Sequence, residues 1–238
     1  MVNAPAGTSV SSDANAKAWS LDAVVKHFMG RRNDVSGMYP SEWVFLKDAI
    51  REGVSVLDVG CAVGGFAGVL RQCVKSFSYT GIDISPSMIA EAKQAYPDQR
   101  FFHVAENDFS NVAGEQFDLV LCLGILPLSE NWRDTIRGAW DATKTSGGLL
   151  IDIRETTGST LEDKATSYLN MNLDGNNPEN EKARLPYNVI EVGESIETVR
   201  SLCTGHRKSS RHSYVHPVTG SAICPLKEVW MTTMFITR

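Results

Sequence analysis

From residue 54 to residue 153 the chain keeps one rhythm. A short run rich in Val, Ile, Leu and Phe meets a break at Gly, Pro or Ser, and then comes a stretch whose apolar positions fall three and four apart. That pattern predicts strands over 55–59, 79–83, 100–104, 117–122 and 149–153, with helices over 65–74, 86–96 and 131–143 between them. Ser85-Pro86 is a helix start with a cause: the hydroxyl caps the first turn, and proline lacks only an N–H that would have no partner there. Trp132, Ile136, Ala139 and Trp140 share one helical face, and Gly147-Gly148 closes that unit. Strand interiors that are almost wholly apolar predict a parallel sheet covered by helices on both faces. Upstream, helices are predicted over 21–29 and 43–50. Downstream, 156–188 reads as irregular with a polar, turn-rich centre, 194–203 as a helix, and 207–216 and 227–237 as two closing strands.

Composition narrows the class. A chain of 238 residues that is 42% hydrophobic can bury one sizeable core, and 19 Gly with 9 Pro exclude a fibrous repeat. The formal charge of -5 lacks the global basic footprint of a protein that binds nucleic acid or anionic membrane. The longest apolar run, 119–128, contains a Gly and a Pro and is about half the roughly 20 residues a spanning helix needs. Residues 1–20 have neither a basic start nor an apolar run and read as a flexible tail. Five cysteines, an odd number without a C-x-x-C pair, argue against a disulfide framework or a metal site and point to a reducing cytoplasm. The oligomeric state stays open between monomer and homodimer.

The chemistry begins after the first strand, at Val56-Leu57-Asp58-Val59-Gly60-Cys61-Ala62-Val63-Gly64-Gly65. A buried strand feeding a Gly-rich turn and then a helix lets a ligand lie against bare backbone at the strand's carboxyl end. Asp83, at the end of the next strand, is a carboxylate that can accept from both hydroxyls of a ribose. A dinucleotide site wants G-x-G-x-x-G, and Ala62 stands where its middle glycine belongs. Asp58, two residues before Gly60, would repel a pyrophosphate but suits a ligand with an amino group or a sulfonium. S-adenosylmethionine carries both.

These segments together resemble a class I S-adenosylmethionine-dependent methyltransferase over residues 52–153. VLDVGCAVGG resembles the family's first motif, with Ala62 where Gly is usual, and YTGIDIS resembles the second. Asn107-Asp108-Phe109 resembles the third, and 117–126 followed by Ser146-Gly147-Gly148 resembles the fourth strand and the turn before the fifth. The resemblance implies an α/β, Rossmann-like, doubly wound fold: a mostly parallel seven-stranded sheet, helices on both faces and an antiparallel last strand. It implies one methyltransferase domain over 21–238, with 52–153 as its cofactor-binding core. S-adenosylmethionine is the implied cofactor and S-adenosylhomocysteine its product. Asp58, Gly60, Cys61, Ala62, Gly64 and the Leu123-Gly124 backbone are then cofactor residues. Asp83 is the ribose acid, Ile84 and Met88 lie near the adenine, and Asn107, Asp108 and Phe109 close that end, Asp108 accepting from the adenine amino group.

Methyl transfer asks mainly for alignment and exclusion of water, with a base for an alcohol acceptor. Nucleic-acid amino methyltransferases of this family carry Asn/Asp-Pro-Pro-aromatic after the fourth strand, whereas this chain has Leu123-Gly124-Ile125-Leu126-Pro127-Leu128. A small-molecule acceptor follows, with oxygen preferred: a sugar, a sugar acid or a natural-product intermediate. Candidate acceptor residues are Ile125, Arg154, Tyr168 and Tyr187, and 156–188 reads as either a surface insertion or a substrate cap. Candidate catalytic groups are Glu155, His206 and His212. As a strand, 207–216 places His212, Tyr214 and His216 on one face; it is either an anion-binding surface or an edge strand protected by charge. His27 and His103 sit in apolar patterns and read as packed, while Arg31, Arg32 and Tyr39 lie where an amino-terminal segment would cover the cofactor. The rivals are a small-molecule N-methyltransferase, an RNA methyltransferase using Arg207, Lys208 and Arg211, a non-catalytic S-adenosylmethionine-binding module, and a nicotinamide-dependent oxidoreductase, which Asp58 and Ala62 oppose.

Overall fold

The computed structural model describes residues 15–172, 182–218, 220 and 222–238. In chain order the elements are α1 (Asp22–Phe28), α2 (Pro40–Ala49), β1 (Val54–Val59), α3 (Gly65–Cys73), β2 (Phe77–Asp83), α4 (Pro86–Ala95), β3 (Arg100–His103), β4 (Phe117–Cys122) and α5 (Trp132–Asp141). Then follow β5 (Thr143–Thr156), β6 (Tyr168–Asn172), β7 (Lys182–Pro186), β8 (Ile190–Glu191), α6 (Val192–Leu202), β9 (Lys208–Pro217), β10 (Ala222–Ile223) and β11 (Glu228–Thr237). The main sheet has the order β3-β2-β1-β4-β5-β11-β9, with the two residues of β8 beside the end of β5. Strands β1 to β5 pair in parallel, and β11 runs antiparallel to both β5 and β9. This is the doubly wound α/β arrangement expected from the pattern, with its antiparallel last strand.

Alternation along each strand sends side chains to two cores. Leu57 and Val59 pack with Val120, Ile151 and Ile153 against Ile136, Ala139 and Trp140 of α5 and Val199 of α6. Val54 and Val56 pack with Leu119, Leu121 and Leu150 against Leu46 of α2, Leu70 of α3 and Ile89 of α4. The predicted face of α5 is fully used: Trp132, Ile136, Ala139 and Trp140 are all buried. Each large side chain buried in this way contributes about 1.5–3 kcal/mol.

Three expectations differ from the structure. Helix α5 stops at Asp141, and β5 starts at Thr143, opposite Phe117, where a register shift lets it rejoin β4 at Gly148. The stretch 156–188 is not irregular throughout, because β6 and β7 pair antiparallel and β10 adds a third strand. Each strand of that small sheet is short, and its partners come from a distance, so no local periodicity announces it. The polar centre of the stretch, 173–181, lies outside the described residues. Of the tail read over 1–20, residues 1–14 also lie outside them, but 15–19 are helical and Ala18 is fully buried. Trp19 donates its indole N–H to Asn15 at 2.7 Å, and the Ser20 and Ser85 hydroxyls lie 2.9 Å apart, which fastens this segment to the start of α4.

At the amino ends of the strands, Asp118 accepts from the Ser55 backbone N–H at 2.9 Å, the Ser55 hydroxyl at 2.6 Å and Lys144 at 3.0 Å, tying β4 to β1 and β5. Partial burial pushes its pKa up, but the bonds from Ser55 and Lys144 prevail and hold it at about 2. A carboxylate depressed in the folded state stabilises fully above its unfolded value, roughly 3.9, and loses that contribution as pH falls toward 2. Asp118→Asn is therefore expected to cost about 1–2 kcal/mol at pH 7 and to flatten the pH dependence of stability between pH 4 and 2, measured by urea unfolding.

Candidate functional site

The segment after β1 turns sharply because Gly60, Ala62 and Gly64 all have positive φ. Gly60 is required twice. Its φ is +76°, and a Cβ there would lie 2.3 Å from Cγ2 of Ile125, so only bare backbone passes beneath that side chain. Ala62 holds φ 47°, a conformation costing an L-residue about 1–2 kcal/mol. Its N–H donates to Asp83 Oδ2 at 2.9 Å, and Ser85 N–H donates to Asp83 Oδ1 at 2.8 Å. Burial raises the Asp83 pKa, and these N–H groups with the nearby His103 oppose the rise.

Over the carboxyl ends of the strands lies a cavity of about 570 Å³. Gly60, Ala62, Asp83, Ile84 and Met88 form one wall. Asn107, Asp108 and Phe109 close one end, and Leu123, Gly124 and Ile125 line the floor beyond β4. Asn107 sits at φ 60° with its side-chain oxygen accepting from Thr135 of α5, while Asp108 is half-buried and accepts from Ser110 N–H at 2.8 Å. Trp19, His27, Phe28, Arg31, Arg32 and Tyr39 add lining from the amino-terminal segment. That segment runs so close to α3 that a Cβ at Gly68 would lie 2.4 Å from the Asn33 carbonyl oxygen.

Several predicted residues stand elsewhere. Asp58 is buried on the α3 side of β1 and accepts from the Tyr79 hydroxyl at 2.7 Å; burial lifts its pKa to about 6. Cys61 is buried, its thiol pushed well up by the same loss of solvent. Gly64 precedes α3 as its N-cap, two residues beyond the lining. Glu155 is fully buried on the α6 face, accepting from Ser195, Thr232 and Arg211, the last at 2.5 Å. Neighbours in a strand point to opposite faces, so Arg154 and Glu155 cannot both face one ligand. His206 bonds the Cys203 carbonyl at 3.0 Å just after α6, and His212 is exposed on edge strand β9 opposite Thr233. None of these three lines the cavity. His27 and His103, expected in the core, are both exposed, and His27 is part of the lining. Tyr168 of β6 lies under the Arg184 guanidinium, 4.5 Å from ring centre to Cζ, and is not part of the lining.

Arg154 and Tyr187 do meet, behind the cavity floor. Gly124 N–H donates to Asp152 Oδ1 at 2.5 Å, Arg154 donates to Asp152 Oδ2 at 2.7 Å, and the Tyr187 hydroxyl adjoins Arg154. Across the amino-terminal segment, Arg32 donates to Glu42 at 2.6 Å. Burial, with Asp152 adding to it and Arg32 opposing it, lifts Glu42 to about 7. Asp152 and Glu42 went unread, although a single acid inside Leu-Leu-Ile-Asp-Ile was a usable signal. Among the described residues no group of His, Cys, Asp and Glu is arranged to hold a metal ion, and no helix is long and apolar enough to cross a membrane.

Comparison with known proteins places these features in a wider set. A family described as "Methyltransferase domain" matches residues 57–150. Trans-aconitate 2-methyltransferase of Escherichia coli O1:K1 is 42% identical over 66 residues, 27% of this chain and 25% of that enzyme. The matched stretch thus spans about a quarter of that curated relative. Among solved structures, phosphoethanolamine N-methyltransferase 2 of Haemonchus contortus superposes with TM-score 0.66 at 12% identity, over 97% of this chain and 60% of that one. The 1,6-didemethyltoxoflavin-N1-methyltransferase of Burkholderia thailandensis, solved with S-adenosylhomocysteine, superposes with TM-score 0.56 at 18% identity, over 100% and 94%. At such identities these likenesses establish the fold.

Glu155→Ala is expected to lower the unfolding free energy by about 3 kcal/mol, because it strands Arg211 and two hydroxyls around a buried gap. Urea unfolding followed by tryptophan fluorescence reads that loss.

Proposed function

We propose that this chain, whose residues 57–150 match the family described as "Methyltransferase domain", is a class I S-adenosylmethionine-dependent methyltransferase that moves a methyl group from S-adenosylmethionine to an oxygen of a small-molecule acceptor. The observation that carries the reading is the gathering of Gly60, Ala62, Asp83, Asp108 and Gly124, from the ends of four successive strands, around one cavity. Its volume, about 570 Å³, is in the range of small-molecule sites. The donor fits the residues present. Asp83 keeps lone pairs for two ribose hydroxyls after accepting from Ala62 and Ser85. Ile84 and Met88 offer an apolar bed for the base, and Asp108 offers an acceptor for its amino group. Asp58, beneath the loop, acts through Tyr79 and the shape of β1 rather than by touching the ligand.

S-adenosylmethionine supplies a methyl made electrophilic by its sulfonium. The protein's part is alignment and the exclusion of water, which together account for much of the rate in such displacements. Trp19 and Phe28 contribute apolar lining above the donor, and Asp152 fixes the Gly124 backbone where acceptor and donor meet. An acceptor oxygen is supported by the curated relative named for trans-aconitate and by the absence of an Asn/Asp-Pro-Pro-aromatic segment at 123–128. The relatives and solved structures named above carry small-molecule names, in keeping with a small acceptor. Five unpaired cysteines support a reducing, cytoplasmic setting.

The test has two arms. Titration calorimetry with S-adenosylhomocysteine is expected to show binding that Asp83→Ala weakens by about 2 kcal/mol, roughly thirtyfold. Unchanged affinity would remove Asp83 from the ribose site. Methyl-labelled S-adenosylmethionine incubated with cell extract is expected to label the small-molecule fraction; label in RNA would move the acceptor to nucleic acid.

A further inference from the structure

Next to the cavity floor lies a group of side chains that the donor site does not use. Arg154, Met231 and Tyr214 form one cross-strand row through β5, β11 and β9 and therefore point to the same face of the sheet. This is the face covered by α2, whose Phe45 stacks on Phe235. The Tyr214 hydroxyl lies in the field of Arg154, Tyr39, Glu42 and Asp152, and Tyr187 reaches Arg154 from beyond β7. Tyr39 belongs at once to this group and to the lining of the donor cavity.

Arg154 is the informative member. Its side chain is only 16% exposed, and of its five N–H donors one, on Nη1, is given to Asp152 while the Tyr187 hydroxyl accepts from the same guanidinium, which leaves donors over. Among the described residues no fully buried side-chain polar atom lacks a partner, so the spare donors of Arg154 are not sealed in the core. A guanidinium held by one carboxylate and one tyrosine hydroxyl, with donors to spare and a second tyrosine in its field, matches a planar anion that can accept two parallel bonds. Glu42, half-protonated near neutral pH, leaves Arg32 and Arg154 with an excess of positive charge over the two acids.

We propose that Arg154, with the Tyr187 and Tyr214 hydroxyls beside it, binds a carboxylate of the methyl acceptor, and that the product is a methyl ester. The inference rests on the proposed methyl transfer and names the acceptor class. A carboxylate oxygen contributes the electron pair of the new O–CH3 bond, the S–CH3 pair passes to sulfur, and S-adenosylhomocysteine leaves as a neutral thioether. No proton moves, because a carboxylic acid is already ionised at neutral pH. That accounts for a site in which Glu155, His206 and His212 all stand away from the cavity.

The experiment uses the full chain and labelled product from cell extract. Mild alkali hydrolyses a methyl ester and releases volatile labelled methanol, whereas methyl ethers and methylamines keep their label. The expected result is volatile label from the wild type, reduced at least tenfold in Arg154→Lys and severalfold in Tyr214→Phe, with S-adenosylhomocysteine affinity within twofold of wild type in both. Arg154→Lys keeps the charge beside Asp152, so calorimetry on the same sample separates a folded variant from a damaged one. Alkali-stable label overturns the carboxylate assignment and leaves the methyltransferase reading standing, as does full ester formation by Arg154→Lys. Loss of both S-adenosylhomocysteine binding and label in the wild type overturns the methyltransferase reading itself, and the inference with it.

Discussion

The carboxylate of Asp83 accepts a backbone N–H from each of two loops, Ala62 on one side and Ser85 on the other, and the cavity over the strand ends takes its shape from that shared anchor. Without an acceptor at this point, Ala62 would have little to hold it in a left-handed conformation that its side chain disfavours. The same Ser85 caps α4 through its hydroxyl and receives the amino-terminal segment at the Trp19 carbonyl. One strand end therefore fixes the loop beneath the cavity, the helix beside it and the segment above it. Gly60 completes the constraint from the opposite side, because Ile125 occupies the space that any Cβ would need.

Carboxylates with similar sequence surroundings serve different ends according to the face of the sheet they reach. Asp118 ties strand starts together, Glu155 ties β5 to β11 and α6, and Asp58 bonds Tyr79 inside the second core. Asp152 connects the Gly124 backbone, which lines the cavity, to Arg154 behind it. A strand's period of two separates Glu155 from Arg154 as firmly as a long distance would. The two were expected together just past the fifth strand, and β5 instead runs on through Thr156 and sends them apart.

The rhythm from 54 to 153 carried the parallel sheet, the order of its helices and the buried face of α5, because each depends on a period that the local sequence states directly. The glycine turn after β1 and the acid at the end of β2 were legible for the same reason, since both sit at fixed offsets from a strand. The small sheet of β6, β7 and β10 was not, because short strands with distant partners leave no local period. Nor was the packing of residues 15–20, whose Ala, Asn and Ser content says nothing of the Ser85 hydroxyl that meets them.

Tertiary structure alone decided which polar residues share a site. Arg32 and Glu42 from the amino-terminal third, Asp152 and Arg154 from β5, Tyr187 after β7 and Tyr214 on β9 are scattered along the chain and meet because α2 lies across the antiparallel end of the sheet. The sequence by itself determined the elements and the glycine-rich loop after β1, through spacing that acts over a few residues. Which charged groups face one another depends on how those elements stack, and burial settles that only once the whole chain has closed on its two cores.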